Sequence, residues 1–113
     1  MVSQDTFAAL ALSFPDTEEL PHFEKKSFRW RNKIFATLDV KLNRCMVQLS
    51  LIDQDVFSAF AGGTVFYPVP GGWGKKGSTF VELNKVDADM LKDALACAYQ
   101  NLLDKHTTGK KKA

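Results

Sequence analysis

Between Phe28 and Leu51 the chain alternates apolar and polar residues in three successive runs, and this pattern constrains the fold more than any other feature. Phe28 and Trp30 alternate with Ser27, Arg29 and Arg31. Ile34, Ala36, Leu38 and Val40 take every second position of the next run, and Cys45, Val47, Leu49 and Leu51 those of the third. Side chains along a strand point to opposite faces with a period of two, so each run has one face to bury and one to wet. Arg31-Asn32-Lys33 separates the first two runs as a turn, and a connection that short joins antiparallel neighbours. The segment predicts a three-stranded antiparallel meander. Its outward positions are Arg29, Arg31, Phe35, Thr37, Arg44, Met46 and Gln48, continued by Phe80 and Asn84 of a later strand.

Helical spacing brackets this meander. Phe7, Leu10, Ala11 and Phe14 recur on one face of residues 4–14, with Ser3 as N-cap, and Pro15 ends the pattern. Asp53 and Asp55 open a short helix with Val56, Phe57 and Phe60 apolar, stopped by Gly62-Gly63. Residues 64–69 and 78–86 read as two strands around a glycine-rich loop. Asp87 caps the longest helix, in which Leu91, Leu95, Ala98 and Leu102 repeat at helical intervals. The predicted order is α-β-β-β-α-β-β-α: an α+β, two-layer domain whose antiparallel sheet is covered on one face by helices. Its expected core is Phe7, Phe14, Leu38, Val47, Phe57, Phe60, Leu83, Leu91 and Leu95.

A chain of 113 residues, 45% hydrophobic and 25% charged, makes one such domain, expected over 1–106, with a disordered basic tail at 107–113. Folding at this length buries roughly two thirds of the unfolded surface, enough for a core without disulfides or a metal. No repeat is visible, and no apolar run approaches the roughly 18 residues of a membrane span, so no membrane partner is expected. Met1 to Phe14 lacks the basic start of a signal peptide, which predicts a cytoplasmic protein. Cys45 and Cys97 are distant in sequence and lie in apolar segments, as reduced core thiols do.

The net charge of +2 implies no partner, but its distribution does. The three regions read as helical, 1–23, 51–63 and 87–106, carry −4, −2 and −2, whereas 24–50 and 64–86 carry +5 and +2. A basic sheet layer backed by an acidic helical layer steers a polyanion to one face. Arginines interleaved with Phe35 and Phe80 suit planar groups that stack while phosphates meet cations. Exposed antiparallel faces also carry Arg and Lys simply to stay solvated, and both readings stand at this level.

The loop Pro68-Val69-Pro70-Gly71-Gly72-Trp73-Gly74-Lys75-Lys76-Gly77-Ser78 satisfies G-x-G-x-x-G, the spacing at which backbone amides approach phosphates. A dinucleotide fold needs a helix after the third glycine, but Ser78-Thr79-Phe80-Val81-Glu82-Leu83 reads as a strand. A Walker A loop needs Lys where Ser78 stands, and the chain is too short for a kinase. Two readings remain: a hairpin connection whose glycines supply positive φ while Trp73 packs back, or a mobile basic-aromatic wing built of Trp73, Lys75 and Lys76.

Catalytic chemistry finds few residues. His22, near Glu18, Glu19 and Glu24, is the one candidate general base, and His106 falls at the end of the last helix, where a cation complements the dipole. No H-E-x-x-H or C-x-x-C spacing offers a metal site, and no G-x-S-x-G offers a nucleophile. No enzyme activity, metal or cofactor is expected.

Several segments in order, Phe14-Pro15-Asp16-Thr17-Glu18-Glu19, His22-Phe23, Ser27-Phe28-Arg29-Trp30, Lys33-Ile34-Phe35-Ala36-Thr37-Leu38 and Trp73-Gly74-Lys75-Lys76-Gly77-Ser78-Thr79, give the chain a resemblance to the largely uncharacterised MmcQ/YjbR family over roughly residues 5–105. The resemblance implies a small α+β domain similar in topology to secretion chaperones and CyaY-like folds, and a DNA-binding role in a double-wing arrangement. Many members have a shorter Lys/Arg-rich turn where this chain has Gly-Gly-Trp-Gly. The expected partner is DNA or another nucleic acid, met by Arg29, Arg31, Lys33, Phe35, Arg44, Trp73, Lys75 and Lys76, with the chain a monomer or weak homodimer. The alternative is a protein-interaction or homodimerisation domain pairing its open sheet.

Overall fold

The computed structural model describes residues 1–106 in full and backbone as far as Lys112; the expected tail, 107–113, lies outside the fully described residues. The elements are α1 (Gln4–Leu12), β1 (Thr17–His22), β2 (Lys25–Trp30), β3 (Lys33–Asp39), β4 (Arg44–Gln48), α2 (Leu51–Ala59), a 3-10 turn (Phe60–Gly63), β5 (Phe66–Pro68), α3 (Gly72–Lys75), β6 (Ser78–Glu82) and α4 (Ala88–Lys112). The six strands form one sheet in the order β1-β2-β3-β4-β6-β5, antiparallel at every pairing. The architecture is two-layer α+β.

α1 and α4 start where their caps predict, whereas α2 starts at Leu51, ahead of the expected Asp53, because Ser50 caps it and accepts from the Asp53 amide at 3.1 Å. Ser3 Oγ accepts from the Thr6 amide and Asp87 Oδ1 from the Met90 amide at 2.7 Å, each satisfying an otherwise orphaned donor. α1, α2 and α4 cover one sheet face. Phe7 meets Phe28 edge-on at 5.3 Å, Phe57 meets Phe66 at 5.0 Å, and Leu91, Leu95, Ala98 and Leu102 of α4 are all buried. Of the expected core, Phe14 and Phe57 are half-buried at its margin, and Phe60 is a correction: the chain leaves α2 there, and its ring is 44% exposed. Val40 and Leu51, read as inward strand positions, are also exposed, because β3 ends at Asp39 and Leu51 opens α2.

Two further elements extend the predicted order. β1 has no alternation to announce it, and it contains Pro21; it is an edge strand paired only with β2, where a missing amide is tolerated. The glycine loop closes into the single helical turn α3.

The largest departure is a bulge in β3. Phe28 pairs with Ala36 but Arg29 pairs with Ile34, so Phe35 has no partner across the ladder. Phe35 thereby turns inward beside Ala36, wholly buried, with its ring 6.3 Å from Phe14 and 5.9 Å from Tyr99. Ile34 takes the opposite face. Burying a phenyl ring contributes about 1.5–3 kcal/mol, more than the roughly 0.5–1.5 kcal/mol of a ladder hydrogen bond forgone. The ring therefore decides the register.

Candidate ligand groove on the open sheet face

The sheet face away from α1, α2 and α4 carries a groove of about 650 Å³. Cross-strand register builds its floor: Ser27, Thr37, Met46, Phe80 and Tyr67 stand opposite one another in a row from β2 to β5, with Gln48 opposite Ser78 in the next. Ile34, Thr37, Met46 and Phe80 line the floor. Val69, Trp73, Lys76 and Ser78 make one wall, His22 and Lys25 from the β1–β2 hairpin the other, and Lys105 of α4 reaches the rim. Every ionisable side chain lining the groove is basic. An apolar floor inside a cationic rim suits a ligand with planar or apolar groups joined to anions.

The glycine wall is held rigidly. Buried Gln54 donates from Nε2 to the Gly74 carbonyl (2.8 Å), the Ser78 carbonyl and Thr79 Oγ1 (both 3.2 Å). Gln48 donates to the Lys76 carbonyl at 2.9 Å and accepts from Ser78 Oγ at 2.7 Å. A Cβ on Gly74 would lie 1.8 Å from the Val69 carbonyl oxygen, and one on Gly77, at φ +106°, 1.9 Å from that of Leu49. These two glycines permit backbone to pack on backbone and leave the phosphate-loop reading without a role for them. Trp73 does not pack back on the domain: it is 71% exposed at the groove.

Phe80 is oriented by its neighbours. The Arg44 guanidinium lies 3.7 Å over its ring centroid and Tyr67 meets it at 5.7 Å. Arg44 also donates to Tyr67 Oη at 3.3 Å, and that hydroxyl donates to Glu82. Burial, then the bond to Glu82, raises the Tyr67 pKa above its ordinary value, so the phenol stays a donor.

Of the residues assigned from sequence, Trp73 and Lys76 line the groove; Lys75 and Lys33 are exposed outside its lining. Phe35 is corrected to the core by the bulge. Arg31 is corrected to the β2–β3 turn: Arg31 and Asn32 have φ +49° and +66°, the conformation two-residue hairpins require, so Arg31 does not share a strand face with Arg29 and its guanidinium lies 5.0 Å over Trp30. Asn84 lies past β6, where it accepts from Asn43. Arg29 is half-buried, its Nε donating to Ser27 Oγ at 2.9 Å, and Arg44 is occupied by Phe80 and Tyr67. The division of charge is corrected too, since Glu18 and Glu19 lie on β1, inside the sheet rather than in the helical layer. Lys25, Lys105 and Ile34 were not legible as site residues. Lys25 shares the phase of Ser27 and Arg29, but the strand only becomes part of a wall because β1 pairs with it.

Elsewhere, Cys45 is buried, which pushes its thiol pKa far up, and Cys97 is half-buried and also raised, by burial first. A small cleft of about 150 Å³ lies between Ser50, Asp53, Cys97, Gln100, Asn101 and Asp104. Among the described residues no three His, Cys, Asp or Glu side chains converge as metal ligands, and no helix is long and apolar enough to cross a membrane.

No family model matches the sequence, and no curated protein does. Among solved structures the fold is similar to that of Deinococcus radiodurans protein DR2400, which carries the domain DUF419. The TM-score is 0.75 at 19% identity, over 88% of this chain and 77% of that one. The likeness supports the fold.

Proposed function

We propose that this chain is a non-enzymatic nucleic-acid-binding module of the MmcQ/YjbR type, working in the cytoplasm and holding its ligand in the groove on the open sheet face. One observation carries the reading: the groove has an apolar floor with Trp73 exposed at its edge, and all four ionisable residues around it, His22, Lys25, Lys76 and Lys105, are basic. Phosphates meet the lysines and bases meet the floor and the indole. DNA is the partner the resemblance to that family implies. The contact surface differs from the one read along the sequence, with Lys25 and Lys105 replacing Arg31, Phe35 and Arg44.

The test is a titration with labelled nucleic acid at low and moderate salt. Binding should weaken steeply with salt, and replacing Lys25, Lys76 and Lys105 together by Gln should make the salt slope shallower by roughly one unit per lysine. An unchanged slope and affinity contradict the reading.

A second reading, a protein-interaction surface, is favoured by the outer stripe of α2 and its following turn. There Leu51, Ile52, Val56 and Phe60 are 55%, 78%, 66% and 44% exposed. Its sign is a sedimentation coefficient that rises with protein concentration and falls back in Val56→Asp.

A further inference from the structure

At the tip of the β1–β2 hairpin Phe23 is 93% exposed, and its backbone sits at φ +59°. Two-residue hairpin turns place Gly, Asn or Asp where φ is positive, because a side chain is crowded there. A bulky aromatic held in that region and turned into water helps neither the turn nor the core. Outliers of this kind cluster where a chain contacts a ligand. The neighbours agree with that assignment. The Phe23 ring lies 4.8 Å from the ring of His22, and His22 lines the groove together with Lys25, its partner across the hairpin. At the other wall stands Trp73, 71% exposed, close in sequence to Lys76. One exposed aromatic ring, Trp73, lines the groove, and a second, Phe23, stands outside the lining against His22, which does line it. Lys76 and Lys25, each close in sequence to one of the rings, line the groove as well.

We propose that the groove takes unpaired nucleotides: a single strand laid across the sheet from Trp73 to Phe23, bases stacking on the two end rings and phosphates on Lys25 and Lys76. This assignment rests on the nucleic-acid reading above and names its substrate class. Strands about 4.8 Å apart put β1 and β6 four intervals, about 19 Å, from each other, a span that accommodates a short run of nucleotides. A duplex offers phosphates to the same lysines, but its base faces are stacked on one another and closed to Trp73 and Phe23. Unpaired bases leave a face open to an aromatic ring, and stacking of that kind tolerates any sequence.

The experiment compares a short labelled single strand with its duplex, by fluorescence anisotropy at two salt concentrations. It uses the parent protein, Phe23→Asn and Trp73→Ala, with urea unfolding of each. Asn adopts positive φ readily, so Phe23→Asn should be at least as stable as the parent. It should nevertheless lose about tenfold in single-strand affinity with an unchanged salt slope, because stacking and not charge is removed. Trp73→Ala should lose a similar factor, and the parent should favour the single strand over the duplex. Duplex binding as tight as single-strand binding, or full single-strand affinity in Phe23→Asn, overturns this assignment and leaves the nucleic-acid reading standing. No binding to either form overturns both.

Discussion

Phe35 and Phe80 stand on nearby strands and read alike in the sequence, yet one is core and the other groove. The bulge opposite Phe28 and Arg29 separates them. Phe35→Ala should therefore cost about 3–5 kcal/mol in urea unfolding, as truncation of a buried ring does, while Phe80→Ala, a half-exposed residue, should cost less and weaken ligand binding. A similar contrast divides the glycines. Gly77→Ala meets both a positive φ and the Leu49 carbonyl and should destabilise by about 2 kcal/mol or more. Gly72→Ala has open space and should lie within about 0.5 kcal/mol of the parent in the same assay. The titrating groups shifted in this structure all move one way. Burial raises the Cys45 thiol above its ordinary 9.0, and burial with the Glu82 bond raises Tyr67 above its ordinary 10.0. Each acid thus keeps its neutral form in the fold, so its contribution is complete below the unfolded pKa and is lost as pH rises toward the folded one. The thermal midpoint should hold steady up to about pH 9 and fall beyond it, less steeply in Cys45→Ala; a midpoint that rises in alkali contradicts this.

At the scale of elements, legibility followed the strength of local signals. α1 and α4 were readable because Ser3 and Asp87 make caps and the apolar spacing is regular. β2, β3 and β4 were readable because they alternate, but a bulge inserts a residue without marking the sequence, and Ile34 and Phe35 exchanged faces as a result. β1 was not readable because an edge strand needs no buried face and accepts Pro21. The glycine loop gave its composition but not its anchoring, which depends on Gln54, some twenty residues away and unremarkable in sequence. Gln54→Ala removes the side-chain donor shared by Gly74, Ser78 and Thr79, while the Gly74 and Ser78 carbonyls keep the backbone amides of Gly77 and Val69, and should cost about 0.5–1.5 kcal/mol. Hydrogen exchange should show the amides of Lys76 and Gly77 losing protection before those of β4; equal protection in the variant would show that the loop holds itself.

For the whole molecule, the sequence carried the layer arrangement, because that is a sum over many residues and survives errors at single positions; the division of charge by layer did not survive, since Glu18 and Glu19 joined the sheet. Nor did the sequence carry the groove. That concavity needs β1 to bring His22 to the edge, α4 to bring Lys105 to the rim and the anchored loop to stand Trp73 beside Phe80. The central claim is that ligand enters this open face and leaves the helical face dry. Amide chemical-shift mapping during titration with a short single-stranded oligonucleotide measures it most directly. The account predicts shifts concentrated at Lys25, Thr37, Met46, Trp73, Lys76 and Phe80, with Ile52, Val56 and Lys92 unmoved. Shifts gathered on α2 or α4, with the groove silent, would contradict it.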